Sequence, residues 1–442
     1  MNVSTLIFLI IVCATTILFG LAPDNYDYSY NCVCAILYVI MAVVFFIVKK
    51  KKNYMDFDTI FIFTYSIVFY FFPVFIYPID QSKLFVFAYK YNEDVISRAS
   101  AIALIGMNCY MLGSIIREKQ QKKWSVSKGF RNGRFLFLIS LASFIVYFLL
   151  GGITHLKQLY EGEVTDAGNS GYFSILSSTA LMAMLVIWFN NQYLKHNTNF
   201  SIKEIPFPQI SYVIIYTALQ IYGGSRTYPM QFLLIIIGLY TLLFNNFSLK
   251  KTSVFISIGV IAMYGVLLFR SRSEFQINDL ASVLSDLIIN SRNSYVAVDY
   301  VDTHGLSFGT TMIMYLIAPF PFLQNFIVQV FGINPSEMSS SLLITCDTLG
   351  NDPDFGLGTN IIADIYLAFG TFGVAVFMII LGYFVCSLQK GAKTNIYALT
   401  AYAIMMSYSV FLVRAEYFFF LRPMLWTLLF IWLFKKSAIK PI

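Results

Sequence analysis

Ile221-Tyr222-Gly223-Gly224-Ser225-Arg226-Thr227-Tyr228-Pro229 separates two apolar runs, near 208–222 and 229–245. The runs read as membrane helices and the polar stretch as the bend between them, with Gly223 and Gly224 allowing a tight turn. The run before the bend is shorter than the ~20 residues that cross a hydrocarbon core, so the bend is expected to sink into the membrane. Arg226 has no carboxylate near it in the sequence. An arginine at the edge of a bilayer is expensive and usually serves an anionic ligand.

The rest of the chain agrees with a membrane setting. Of 442 residues, 58% are hydrophobic, 18% aromatic and only 12% charged, with a mean hydropathy of +0.70. A soluble globule carries about twice that charged fraction. The net charge of +7 does not indicate nucleic acid, because most lysines sit in short clusters beside apolar runs, where they signal topology. Leu6 to Leu21 lacks a basic leader and a small-residue cleavage site, and is read as a retained span. The cysteines at 13, 32, 34, 109, 346 and 386 fit neither a zinc site nor a disulfide framework.

Twelve candidate spans emerge, near 4–22, 32–48, 57–77, 98–116, 135–150, 173–190, 208–222, 229–245, 252–269, 370–388, 395–413 and 418–434. Basic clusters at Lys49 to Lys52, Arg117 to Arg134, Lys195 and Lys203, Lys250 and Lys251, Lys390 and Lys393, and Lys435, Lys436 and Lys440 follow every even-numbered span. The expected fold is therefore an all-α polytopic membrane protein, residues 1–442 forming a single transmembrane domain with both termini cytoplasmic. Only Lys83, Lys90 and Lys157 among the lysines fall outside. The 270–356 segment is one large outer loop. Its apolar stretches, Leu280 to Ile289 and Thr311 to Phe331, are expected to be interfacial helices, the second broken by Pro319 and Pro321. A further span over the second stretch is the alternative.

On this map Arg226, Arg270, Arg272, Arg292, Arg414 and Arg422 gather at the outer face. A guanidinium grips phosphate oxygens through a planar fork, whereas topology is set equally well by lysine, so the cluster reads as a diphosphate site. The competing readings are snorkelling to lipid headgroups, pairing of Glu274 with Arg270 or Arg272, and Arg422 as an interfacial anchor. Glu416, Asp299, Asp302 and His304 are the candidate general bases, and the residues alone do not choose among them. Glu416 is also placed to neutralise Arg414. Asp364, in an apolar helical stretch, is either near the site or holds a structural hydrogen bond. The 356–369 segment containing it, which precedes a complete span, is expected to enter from outside and turn back. Tyr228, Tyr295 and Tyr417 are outer tyrosines able to stack on sugar rings. Asp352-Pro-Asp354 reads as a turn rather than a metal-holding pair, and no metal or cofactor is expected.

The stretches GGSRTYPMQFLL (223–234) and GLGTNIIADIYLAFGTFGVAVFMIILGYF (356–384), with a large outer loop between them, resemble the Wzy-type O-antigen polymerases of bacterial surface polysaccharides. The Gly-Ser-Arg turn and Tyr366 to Gly373 carry the likeness best, which spans roughly 210–434 in motif order. The resemblance implies a lipid-donor, GT-C-like glycosyltransferase architecture in the bacterial inner membrane, facing the periplasm with a large periplasmic loop. It would transfer a growing glycan from undecaprenyl diphosphate to a new lipid-linked repeat unit, with Arg226, Arg292 and Arg414 as donor-diphosphate contacts. A chain-length regulator is the protein partner that the resemblance implies. The alternatives are an O-antigen ligase, which shares the arginines, and a flippase or transporter, which would need charges along a path open to both sides.

Overall fold

A computed structural model describes residues 3–118, 133–152, 154, 170–196, 199–223, 225–270, 284–351, 353 and 355–435. It is all helical, with no strand among the described residues. The long helices are α1 (Val3–Gly20), α2 (Tyr28–Val48), α3 (Phe57–Phe71), α4 (Ile96–Glu118), α5 (Arg134–Leu149), α6 (Ser170–His196), α7 (Phe207–Tyr222), α8 (Thr227–Leu243) and α9 (Leu249–Arg270). After 283 come the short α10 (Ser285–Ile288), α11 (Ser291–His304), α12 (Ile313–Ile317), α13 (Leu323–Phe331) and α14 (Ser340–Leu349). The chain ends with α15 (Ile361–Gly391), α16 (Ile396–Ser407) and α17 (Leu421–Lys435). Each of the twelve expected apolar stretches falls on a helix. Among the described residues six helices are long and apolar enough by themselves to cross a membrane: α1, α2, α3 with its π-turn extension to Ile76, α4, α6 and α15.

Short polar side chains set several helix starts. Asp27, Asp56, Asn360 and Asn395 each accept a backbone N–H from the first turn of the helix that follows, as capping requires. The helices then sort by burial. α4 is enclosed on nearly all sides, whereas α1 and α2 turn Ile10, Ile17, Ile36 and Val39 outward. Isoleucine and valine on an unburied face suit lipid rather than water.

The centre of the bundle is the pairing of α4 with α15. It works only with glycine at two points. A Cβ on Gly113 would stand 2.0 Å from the Ile379 carbonyl oxygen, and one on Gly382 would stand 1.9 Å from that of Tyr110. Small residues let membrane helices approach until their backbones touch.

α15 is not straight. Gly370 has φ 63° and ψ −159°, outside helical geometry and in a region open essentially to glycine alone. Ile362 and Val374 both approach Gly106, and Tyr417 bonds both Asp364 and the Phe377 carbonyl. Along an unbroken helix the two pairs would be about 18 and 20 Å apart. The chain therefore folds back at Gly370, as expected for the 356–369 segment.

The Thr311 to Phe331 stretch forms helices too short to cross a bilayer, broken around Pro319 and Pro321. In α13 no residue is buried, and Phe326, Val330 and Phe331 are exposed. Arg422 Nε donates to the Ala318 carbonyl at 2.7 Å and Trp426 Nε1 to that of Pro319 at 2.8 Å, tying this proline turn to α17.

The two ends of the bundle differ in chemistry. Arg226 stands at the start of α8, and Thr241 near its other end donates to the Met55 carbonyl. Beside Met55, Lys49 pairs with Asp58 at 2.7 Å and Lys51 with Asp56 at 2.7 Å, all four side chains buried. These two lysines thus do more than signal topology, because they close a charged junction between α2 and α3. A pocket of about 420 Å³, lined by Trp188, Gln192, Lys195, Glu204 and Gln209 among others, also opens at this lysine end.

Candidate functional site

The arginine end is assembled from three separate parts of the chain. α7 has 16 residues, so the bend that follows is reached early, and Arg226 stands at the N-cap of α8. Gly223 has an ordinary φ of −73°, and Gly224 lies outside the described residues. Arg414 ends the 3₁₀ turn Phe411–Arg414, and its guanidinium lies 5.3 Å from the Phe411 ring centroid. Both α10 and this turn rest against α3.

Between the two arginines stands Asp286. Its Oδ2 is 3.0 Å from Arg226 Nη1, and its main-chain oxygen accepts from Arg414 Nη1 at 3.1 Å. Arg226, without an acid near it in sequence, thus acquires one through tertiary structure. The same main-chain oxygen accepts from Asn290 Nδ2 at 2.8 Å, and Asn360 Nδ2 donates to the Asn290 carbonyl at 2.7 Å. The cap of α15 is therefore linked to the arginine pair by two hydrogen bonds in series. Burial pulls the Arg414 proton affinity down, which Asp286 offsets and Arg226 reinforces.

Glu416, two residues beyond Arg414, points elsewhere. It is 4% exposed and accepts from Ser339 Oγ at 3.2 Å rather than neutralising Arg414. Burial, reinforced by the Asp364 carboxylate, pushes its pKa up to about 7. Asp364 is fully buried, and its Oδ2 accepts the Tyr417 N–H at 2.9 Å. Among the described residues neither acid is paired with a cation, and the two lie together at the segment that carries Arg414. A carboxylate that holds its proton near neutrality is suited to take up and release one.

The other expected residues are placed apart. Arg292 is 1% exposed; its Nη2 donates to the Lys90 carbonyl at 2.7 Å and to Thr348 Oγ1 at 3.2 Å. Burial lowers its pKa to about 10. It locks the 90 region to α14 instead of joining Arg226 and Arg414. Asp302 pairs with Arg98, and His304 stacks on Tyr300 with ring centroids 4.5 Å apart. They sit at the far end of α11 from Asn290, about 20 Å along the helix. Asp299 accepts from Asn92. Tyr228 is half-buried two residues beyond Arg226 and stacks on Phe232. Tyr295 and Tyr417 are buried and present no free ring face. Arg272, Asp352 and Asp354 lie outside the described residues, as does the Arg270 side chain. Among the described residues no three His, Cys, Asp or Glu form a metal-ligating group.

Asp286, Arg98 and Ser339 were not foreseen. A lone acid inside the otherwise apolar 280–289 stretch was the available signal for Asp286.

Long apolar helices packed through glycine define an integral membrane protein, and two guanidinium groups converge at one end of its bundle. The family model described as O-antigen polysaccharide polymerase Wzy matches residues 1–441, and the chain belongs to that family. The family is one of glycosyltransferase-like polymerases that act on lipid-linked oligosaccharide repeat units. No curated protein and no solved structure matches the chain.

Proposed function

We propose that this protein joins undecaprenyl-diphosphate-linked repeat units into O-antigen or a similar surface polysaccharide, at the periplasmic face of the bacterial inner membrane. In this reading twelve helices cross the membrane, both termini are cytoplasmic, and the arginine end with its 270–356 loop faces outward. The observation that carries it is the convergence of Arg226 and Arg414 on one residue, Arg226 on the Asp286 carboxylate at 3.0 Å and Arg414 on the Asp286 main-chain oxygen at 3.1 Å, which brings two guanidinium groups within reach of one diphosphate.

The leaving group is a lipid diphosphate, so the protein's main task is to hold negative charge as the glycosidic bond breaks. Preorganised guanidinium groups do this. The acceptor hydroxyl gives its proton to Glu416 and its oxygen attacks the anomeric carbon. The bond from that carbon to the diphosphate breaks, and the lipid diphosphate leaves with the electron pair. Arg226 and Arg414 stabilise it.

The test is a gel of surface polysaccharide from the native host with the gene deleted and then restored. The expected deletion phenotype is a core band bearing a single repeat unit, with the ladder lost and then regained. Loss of that single repeat as well, or an unchanged ladder, would overturn the proposal.

A further inference from the structure

This inference rests on the reading of Arg226 and Arg414 as the diphosphate grip. We infer that the Asp286 side chain occupies a phosphate position at rest and gives it up to the donor, so that Asp286 sets how tightly the donor and the leaving diphosphate are held.

The geometry supports an exchange. Carboxylate and phosphate present the same oxygen chemistry to a guanidinium fork. The Asp286 side chain is 44% exposed and that of Arg226 17%, so the acid lies on the accessible side of the cation. Arg414 and Asn290 bind the main-chain oxygen of Asp286, not its carboxylate. Rotation about the Asp286 Cα–Cβ bond therefore frees Arg226 while Arg414 stays in place. At rest the acid offsets one of two adjacent positive charges. When it swings away, both face the incoming diphosphate, and its return competes with the departing lipid diphosphate.

The same competition predicts a split in kinetics. Removing the carboxylate should lower KM for the lipid donor and also lower kcat, because the product leaves more slowly. A residue that merely shaped the loop would raise KM or leave it unchanged.

The direct experiment measures binding of inorganic pyrophosphate by calorimetry to the purified full-length protein, its D286N, D286S and D286E variants, and R226A. Two charge-removing variants are used so that a fold defect in one does not decide the result. D286N and D286S are expected to bind about three- to tenfold tighter than wild type, and D286E about equally. If R226A loses binding while D286N and D286S gain none, the role of Asp286 is overturned and the diphosphate grip stands. If wild type and every variant fail to bind, both fall.

Discussion

The peptide nitrogen of Tyr417 donates to Asp364 Oδ2 across 2.9 Å, fixing the folded-back start of α15 to the segment that carries Arg414 and Glu416. Its hydroxyl donates to the Phe377 carbonyl on the other limb of the same helix. One tyrosine thus spans both limbs and holds two acids beside each other.

That arrangement has a pH signature. Burial and the Asp364 carboxylate raise Glu416 from 4.5 to about 7, so the active, ionised base accumulates as pH rises through that value. Polymerisation in reconstituted membranes should climb along a limb with its midpoint near neutrality and level off above it. Glu416→Gln should abolish the limb and reduce the rate at least about a hundredfold. Asp364→Asn should keep the Tyr417 hydrogen bond and move the midpoint to lower pH. The contribution to stability runs the other way, because the fold favours protonated Glu416: stability is greatest below about 4.5 and falls toward pH 7. A limb unmoved by either substitution would remove Glu416 from the reaction.

Arg226→Lys should retain expression and topology. An ammonium cannot reproduce the planar fork, and activity is expected to fall about ten- to a hundredfold. Wild-type rates in this variant would rule out a bidentate role.

Gly370→Ala should destabilise the protein by about 1–3 kcal/mol, since its φ and ψ are closed to a side chain. Gly20→Ala is the control: nothing lies within 4 Å of a Cβ there. Thermal unfolding in detergent distinguishes them, and equal melting temperatures would contradict the fold-back.

At the lysine end, Lys49→Met leaves Asp58 short of its partner at 2.7 Å and should destabilise by about 3–5 kcal/mol. Adding Asp58→Leu should restore much of that stability, as an apolar pair replaces the ions. Additive losses in the double variant would show that the two residues do not act together.

Helix positions were legible because the length of an apolar run reports directly on the thickness it must cross. The turn-back of 356–369 was legible for a related reason: too many apolar residues precede Phe372 for a single span. Partner choice was not. Arg226 finds Asp286, and Arg98 finds Asp302, across gaps that no local pattern encodes. Glu416 near Arg414 looked like its counter-ion, yet Arg414 ends a 3₁₀ turn and Ala415 is extended, and across that change of backbone Arg414 reaches Asp286 while Glu416 reaches Ser339. Lys49 and Lys51 were read through a rule about loops, which is silent on whether a lysine also finds a buried acid.

The fold-back at Gly370 bears on how the protein is made. Chains emerge from the ribosome N-terminus first, so α4 is in place long before the limb that must reverse against it. Asp364 finds the peptide nitrogen of Tyr417 only after residue 417 has been synthesised. The Arg226 half of the cationic pair therefore waits through the whole 284–351 region for its second half. Nascent chains stalled before residue 411 would carry most of the bundle and none of the completed site, which makes the 411–417 segment and the last helix a checkpoint on assembly.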